Sequence, residues 1–229
     1  MNTHARRLVA SISRDAGKAH GLLIPISGGS DSALCFWAAV HALGRDKVVG
    51  VYVGYQLGLR CREWFEGFGT VLYLSEDPSW HDKEIMRWAE FQRVAKERNL
   101  WLVGSRNRTE EFLGTISIAS RVATYLPLVG MWKSDIMALC DKVGVPKEIT
   151  GSSRRADPDC GRPQEMAEIP LELIDLFLRS RPGSPEVSEN LSPEQIAYLT
   201  QVKERNDFKR KLPTRGKRIQ VVRRRTGDQ

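Results

Sequence analysis

The chain has 229 residues, 41% hydrophobic and 28% charged, a size and balance that allow one well-packed core and argue against disorder as a whole. Its net charge of +7 and pI near 9.4 suit a polyanionic partner, either the phosphates of a nucleotide or nucleic acid. No apolar run reaches the roughly 20 residues that span a bilayer, and the polar start around Arg6 and Arg7 lacks the apolar stretch of a signal peptide, so a cytoplasmic protein with no membrane partner is expected.

Residues 5–18 read as a short helix. Gly21-Leu22-Leu23-Ile24-Pro25-Ile26 follows as a buried strand ending at a glycine pair, and Ala33–Leu43 carries its apolar residues at helical spacing until Gly44 stops it. The pattern then predicts a strand at Val48–Val53, a helix over Leu59–Phe68, a strand at Thr70–Leu74, an amphipathic helix over Lys83–Arg98 and a fourth strand at Leu100–Val103. Such alternation predicts an α/β fold, an open parallel sheet with helices on both faces, whose ligands bind beyond the carboxyl ends of the strands.

Downstream, Ser134–Val143 reads as a helix ended by Gly144. Residues 150–165, rich in glycine, proline and polar groups, read as a long loop, and helices are predicted at Leu171–Leu178 and Pro193–Lys209. Residues 1–212 are expected to form a single domain in which 150–168 is a mobile loop and 181–190 a linker, followed by a basic tail at 213–229. That tail is either solvated, closes over the substrate, or touches RNA. Cys35, Cys61, Cys140 and Cys160 form no CxxC pair and have no His at ligand spacing, so thiols in a reducing compartment are expected rather than a zinc site.

The chemistry concentrates at Ser27-Gly28-Gly29-Ser30-Asp31-Ser32. A strand that ends in this sequence and runs into a helix offers backbone N–H groups, flexible glycines and hydroxyls to an anion. Asp31 cannot bind the anion itself, but it can hold a magnesium ion that bridges phosphates. The alternative is a glycine turn that merely joins strand to helix. Neither the Rossmann nor the Walker A pattern is present.

This segment resembles the signature of the PP-loop ATP pyrophosphatases, and from about Gly21 to Arg210 the chain is similar to ammonia-dependent NAD synthase within that superfamily. The resemblance implies an adenine-nucleotide alpha-hydrolase-like fold, with Ser27 to Ser32 binding ATP and Asp31 a magnesium ligand. Leu102 to Glu110 is similar to the family's Gly-Thr…Glu segment, which implies Glu110 as a second magnesium ligand and Ser105 as an ATP contact in place of a threonine. Pro127-Leu128 with Lys133 resembles the element whose lysine meets ATP phosphate, and residues 151–168 resemble the family's mobile loop, where Arg155 replaces a threonine on the ATP side.

On the acceptor side the resemblance thins. Arg87 and Lys209 remain as implied substrate-binding residues, but Ile85, Ser117, Thr124 and Phe208 stand where the family carries partners of deamido-NAD. Each charge-assisted bond lost is worth roughly 1.5–3 kcal/mol, so the acceptor is expected to be deamido-NAD or a different carboxylate or nucleotide. The implied reaction is attack of the acceptor carboxylate on the α-phosphate of ATP, release of magnesium pyrophosphate, and displacement of AMP by ammonia, with Asp31 and Lys133 as catalytic residues. No catalytic His is needed for it, and His4, His20, His41 and His81 have no triad-like setting. A homodimer is implied as well. Two rivals stand beside this reading: sulfur insertion into a tRNA base or a small acid, in which Cys160 and the basic tail would serve, and a nucleotide-binding protein without catalysis.

Overall fold

The computed structural model describes residues 2–55, 57–152, 154–155 and 163–211. In chain order the elements are α1 (Thr3–Ala16), β1 (Leu22–Pro25), α2 (Ser30–Leu43), β2 (Val48–Val53), α3 (Leu59–Phe68), β3 (Thr70–Leu74), α4 (Lys83–Glu97), β4 (Trp101–Leu102), α5 (Arg108–Leu113), α6 (Lys133–Val143), α7 (Lys147–Ser152), α8 (Gln164–Ala167), α9 (Leu171–Arg179), α10 (Pro185–Asn190), α11 (Pro193–Arg205) and α12 (Asp207–Arg210), with 3₁₀ turns at Arg45–Lys47 and Ala119–Val122.

Four parallel strands form one sheet in the order β3-β2-β1-β4. Alternate residues of the strands point to opposite faces. Leu22, Ile24 and Val48 join the cluster built on α1, α2 and α6, while Leu23, Val51 and Leu102 join Phe91, Val94 and Ala95 of α4. The expected α/β architecture with helices on both faces is therefore present. α2 is the central helix: every residue from Ser32 to Val40 is buried. A helix apolar all round must be enclosed, and each large side chain such as Leu34 or Phe36, both 0% exposed, contributes roughly 1.5–3 kcal/mol by leaving water.

Several boundaries differ from the sequence expectation, each for a local reason. β4 shrinks to two residues because Val103 instead makes a single parallel bridge to Tyr125. α5 was not predicted; at six residues it is too short to show a period, and a capping box between Asn107 and Glu110 starts it. The expected loop from residue 150 begins in α7, where Pro146 sets up the first turn rather than ending a helix. The expected linker at 181–190 contains α10, opened by Pro185 at its first position. The predicted helix Pro193–Lys209 breaks at buried Asn206 into α11 and α12. Helices α5 and α8 to α11 share an apolar cluster of their own, with Leu113, Ile174, Leu178 and Leu199 among its members.

The connections decide where a ligand can sit. The chain runs outward from β1 to β2 and β3, then returns to place β4 on the opposite side of β1. The loops leaving β1 and β4 therefore diverge, and a crevice opens between them at the carboxyl ends of the strands.

Candidate active site

Ser27 to Ser32 forms the β1 side of that crevice. Gly28 turns the chain with φ +78°, a conformation that L side chains avoid, and α2 then starts at Gly29 with no side-chain cap. The loop is braced internally. The Ser27 N–H donates to Ser32 Oγ at 3.3 Å, the two hydroxyls lie 3.1 Å apart, Gly29 N–H donates to Ser27 Oγ at 3.2 Å, and Ser32 Oγ donates to the Gly29 carbonyl at 3.0 Å. A rigid turn that presents an uncapped helix N-terminus is an arrangement that binds phosphate.

Across the crevice α5 and α6 supply the charges. The Lys133 ammonium donates to Ser30 Oγ at 2.8 Å and forms an ion pair with Asp31 Oδ2. Asn107 donates from Nδ2 to Asp31 Oδ1 at 3.1 Å, and its own Oδ1 accepts the Glu110 N–H at 2.9 Å. Asn107 thus ties the loop after β1 to the helix after β4; it is a residue that sequence reasoning missed, although the Asn107-x-x-Glu110 spacing of a capping box was there to be read. Glu110 itself lies in the first turn of α5.

Burial, reinforced by the negative charge of Asp31, pushes the Glu110 carboxyl up to about 7 against the pull of Lys133. Asp31 and Glu110, one from each side of the crevice, are the carboxylates that could hold a divalent cation, whose positive charge would favour the ionised form of Glu110. Carboxylate oxygens completed by phosphate are the donors magnesium takes. Among the described residues no group of three or more His, Cys, Asp or Glu side chains gathers in metal-binding geometry.

The remaining predicted residues lie apart from this group. Ser105 lies in the loop that leads from β4 to α5, on the rim of the crevice which that loop bounds, and is partly buried. Arg155 is exposed, and its side chain bonds to no other described residue. Arg87 forms an ion pair with Glu76, a carboxylate whose side chain is 2% exposed and which Lys83 approaches at 3.4 Å. Lys209 contributes its carbonyl, which accepts from Arg121. At the divergent positions, Ile85 and Phe208 are exposed, and Thr124 Oγ1 donates to the Leu102 carbonyl at 3.0 Å. Cys35 and Cys140 are buried against the loop, where burial pushes the Cys140 thiol up to about 12 and the Cys35 thiol well up too. Cys160, Ala156-Asp157 and the basic tail lie outside the described residues.

Comparison with known proteins gives the crevice its context. The family model for NAD synthase matches residues 84–213, more than half of the chain and the part that carries Asn107, Glu110 and Lys133. The chain belongs to the NAD synthase family. Its members are ligases that form C–N bonds, and this chain is an enzyme of that class. Among curated relatives, the NH₃-dependent NAD⁺ synthetase of Methanocaldococcus jannaschii is 25% identical over 87% of this chain and 90% of its own length. The Methanosarcina mazei protein of the same name is 26% identical over 90% and 94%. Two solved structures share the NAD synthase fold: the NH₃-dependent NAD synthetase of Campylobacter jejuni, at TM-score 0.72, 18% identity and coverage of 95% of this chain and 100% of that one, and the NMN synthetase of Francisella tularensis, at TM-score 0.72, 21% identity and coverage of 93% and 97%. Family membership favours nitrogen transfer over sulfur insertion.

Proposed function

We propose that this chain is a magnesium-dependent ligase that adenylates the carboxylate of a nicotinate nucleotide, with deamido-NAD as the first candidate, and passes the acyl group to ammonia. The observation that carries the reading is the meeting of Lys133 with Ser30 and Asp31 at the uncapped N-terminus of α2, with Glu110 facing them from α5. Phosphates seated on that helix end meet both its partial positive charge and the Lys133 ammonium.

The carboxylate oxygen attacks the α-phosphorus, and the bond to pyrophosphate breaks. Lys133 counters the charge that grows on the departing pyrophosphate; groups of this kind are worth roughly 10²–10³ in rate. Asp31 and Glu110 would hold the magnesium ion, which supplies charge neutralisation on the phosphates. Ammonia then adds to the acyl carbon and AMP leaves, a step that demands little acid or base from the protein because the adenylate is already activated. Ser27, Gly28, Gly29 and Ser32 serve ATP as the rigid cradle, and Ser105 serves it from the rim. Residues 1–212 act as one domain, and the enzyme is a cytoplasmic homodimer on the same reading.

Incubation with Mg²⁺, ATP, ammonium and deamido-NAD, followed by mass spectrometry, should yield NAD, AMP and pyrophosphate in equal amounts. Nicotinate mononucleotide in place of deamido-NAD tests a smaller acceptor of the same chemistry. Absence of AMP with both would contradict the proposal.

A further inference from the structure

Lys133 and Glu110 reach the crevice from the first turns of two different helices, so their relative position depends on what joins those turns. Trp132, which precedes α6, offers no side-chain cap, and the first N–H groups of a helix need acceptors from elsewhere. They find them on neighbouring helices. The Lys133 N–H donates to Thr109 Oγ1 at 2.9 Å, and the Ser134 N–H donates to Asp175 Oδ2 at 2.8 Å. The Thr109 hydroxyl in turn donates to Asp175 Oδ1. Asp175 is 1% exposed and lies on the face of α9 otherwise made of Leu171, Ile174 and Leu178.

We infer that Asp175 is a positioning residue, whose carboxylate locks the first turns of α5 and α6 together so that Glu110 and Lys133 present one fixed geometry to magnesium-bound ATP. The inference rests on the function proposed above. A buried carboxylate is costly unless its oxygens are engaged, and here each oxygen takes a donor from a different helix. Both donors belong to first turns, where negative charge is favoured. An apolar residue of similar shape would fill the same space on α9 but leave the Thr109 hydroxyl and the Ser134 N–H without acceptors, and the two turns could slide past each other. Displacements of about 1 Å are enough to slow a reaction strongly when charge must be matched in the transition state. Asp175→Asn is the sharpest perturbation, since an amide can satisfy one of the two donors but opposes the other with an N–H of its own.

The experiment compares Asp175→Asn, Thr109→Val and Thr109→Ser with Leu199→Ala. Leu199 is 0% exposed, belongs to the same helical cluster and bonds to none of these groups, so its truncation lowers stability without touching the lock. All are assayed well below their own Tm. Asp175→Asn and Thr109→Val should lower kcat by about tenfold or more and raise the Mg²⁺ concentration needed for half-maximal rate, with KM for the acceptor unchanged. Thr109→Ser keeps the hydroxyl and should keep both values. Leu199→Ala should lose Tm alone. If Asp175→Asn fails to fold, Thr109→Val carries the comparison. The inference is overturned if Asp175→Asn and Thr109→Val match Leu199→Ala in kcat and Mg²⁺ requirement. Should the wild type form no AMP, the proposed function fails by itself, and calorimetric affinity for Mg²⁺ and ATP decides the lock: weaker binding in the two lock variants but not in Leu199→Ala supports it, and equal binding in all overturns it.

Discussion

Glu110 gives the site a measurable signature in the metal-free protein. Its carboxyl is raised from 4.5 to about 7 by burial first and by the charge of Asp31 second. A group raised in this direction favours the folded state fully below its unfolded value, and that contribution is lost as pH rises through the folded one. Stability should therefore fall between pH 4.5 and 7 on account of this residue and level off above. Each tenfold change in proton affinity is worth about 1.4 kcal/mol, so the loss is at most about 3.5 kcal/mol, and the partial exposure of Glu110 brings it down to about 1–2 kcal/mol. Glu110→Gln keeps an oxygen for the Asn107 N–H, which donates to Glu110 Oε2 at 3.1 Å, and removes the charge. Urea denaturation in EDTA at a series of pH values should find the variant more stable than wild type at about pH 8, with the gap closing by about pH 5, while its activity is lost. A gap that is independent of pH, or a variant less stable than wild type in alkaline buffer, would refute the argument.

Three other outcomes follow from the geometry. Lys133→Met should lower the rate of pyrophosphate release by about 10²–10³ in a protein that still unfolds cooperatively; an unchanged rate would remove Lys133 from the chemistry. Gly28→Ala forces a side chain into φ +78° with its Cβ 3.2 Å from Leu57 Cδ1, and it should cost about 1–2 kcal/mol by urea titration and weaken ATP binding, whereas a neutral effect would mean that the turn relaxes. Arg87→Ala should cost about 1–3 kcal/mol because it strips buried Glu76 of its closest partner, and adding Glu76→Gln should recover much of that loss; a raised acceptor KM at unchanged Tm would instead return Arg87 to the acceptor site.

The sheet and its helices were legible because the signals are strong and local. Apolar strands such as Val48–Val53 sit between helices whose period is visible over ten or more residues, as in Lys83–Glu97. The turn Ser27–Ser32 between β1 and α2 was legible because its paired glycines interrupt an apolar strand just before a helical pattern begins. What stayed hidden depends on contacts distant in sequence. Asp31 meets Asn107 and Lys133 only because the strand order places β4 beside β1. Glu76 claims Arg87 across a turn that no period predicts. Asp175 announces itself in the sequence only as an acid on an otherwise apolar helix face, and nothing local says which donors it serves. The short helices α5, α7 and α10 escaped because they span too few residues to display a period, and caps or prolines rather than hydrophobic pattern define them.

On the function proposed above, ATP activates a carboxylate as an adenylate. That step is tested most directly by labelling the acceptor carboxylate of deamido-NAD with ¹⁸O and following the label during amide formation with ammonium. Attack on the α-phosphorus requires one ¹⁸O atom to appear in AMP for each amide formed, with pyrophosphate unlabelled. Label in inorganic phosphate with ADP as the partner product, or amide formed with no label in AMP, would contradict the account.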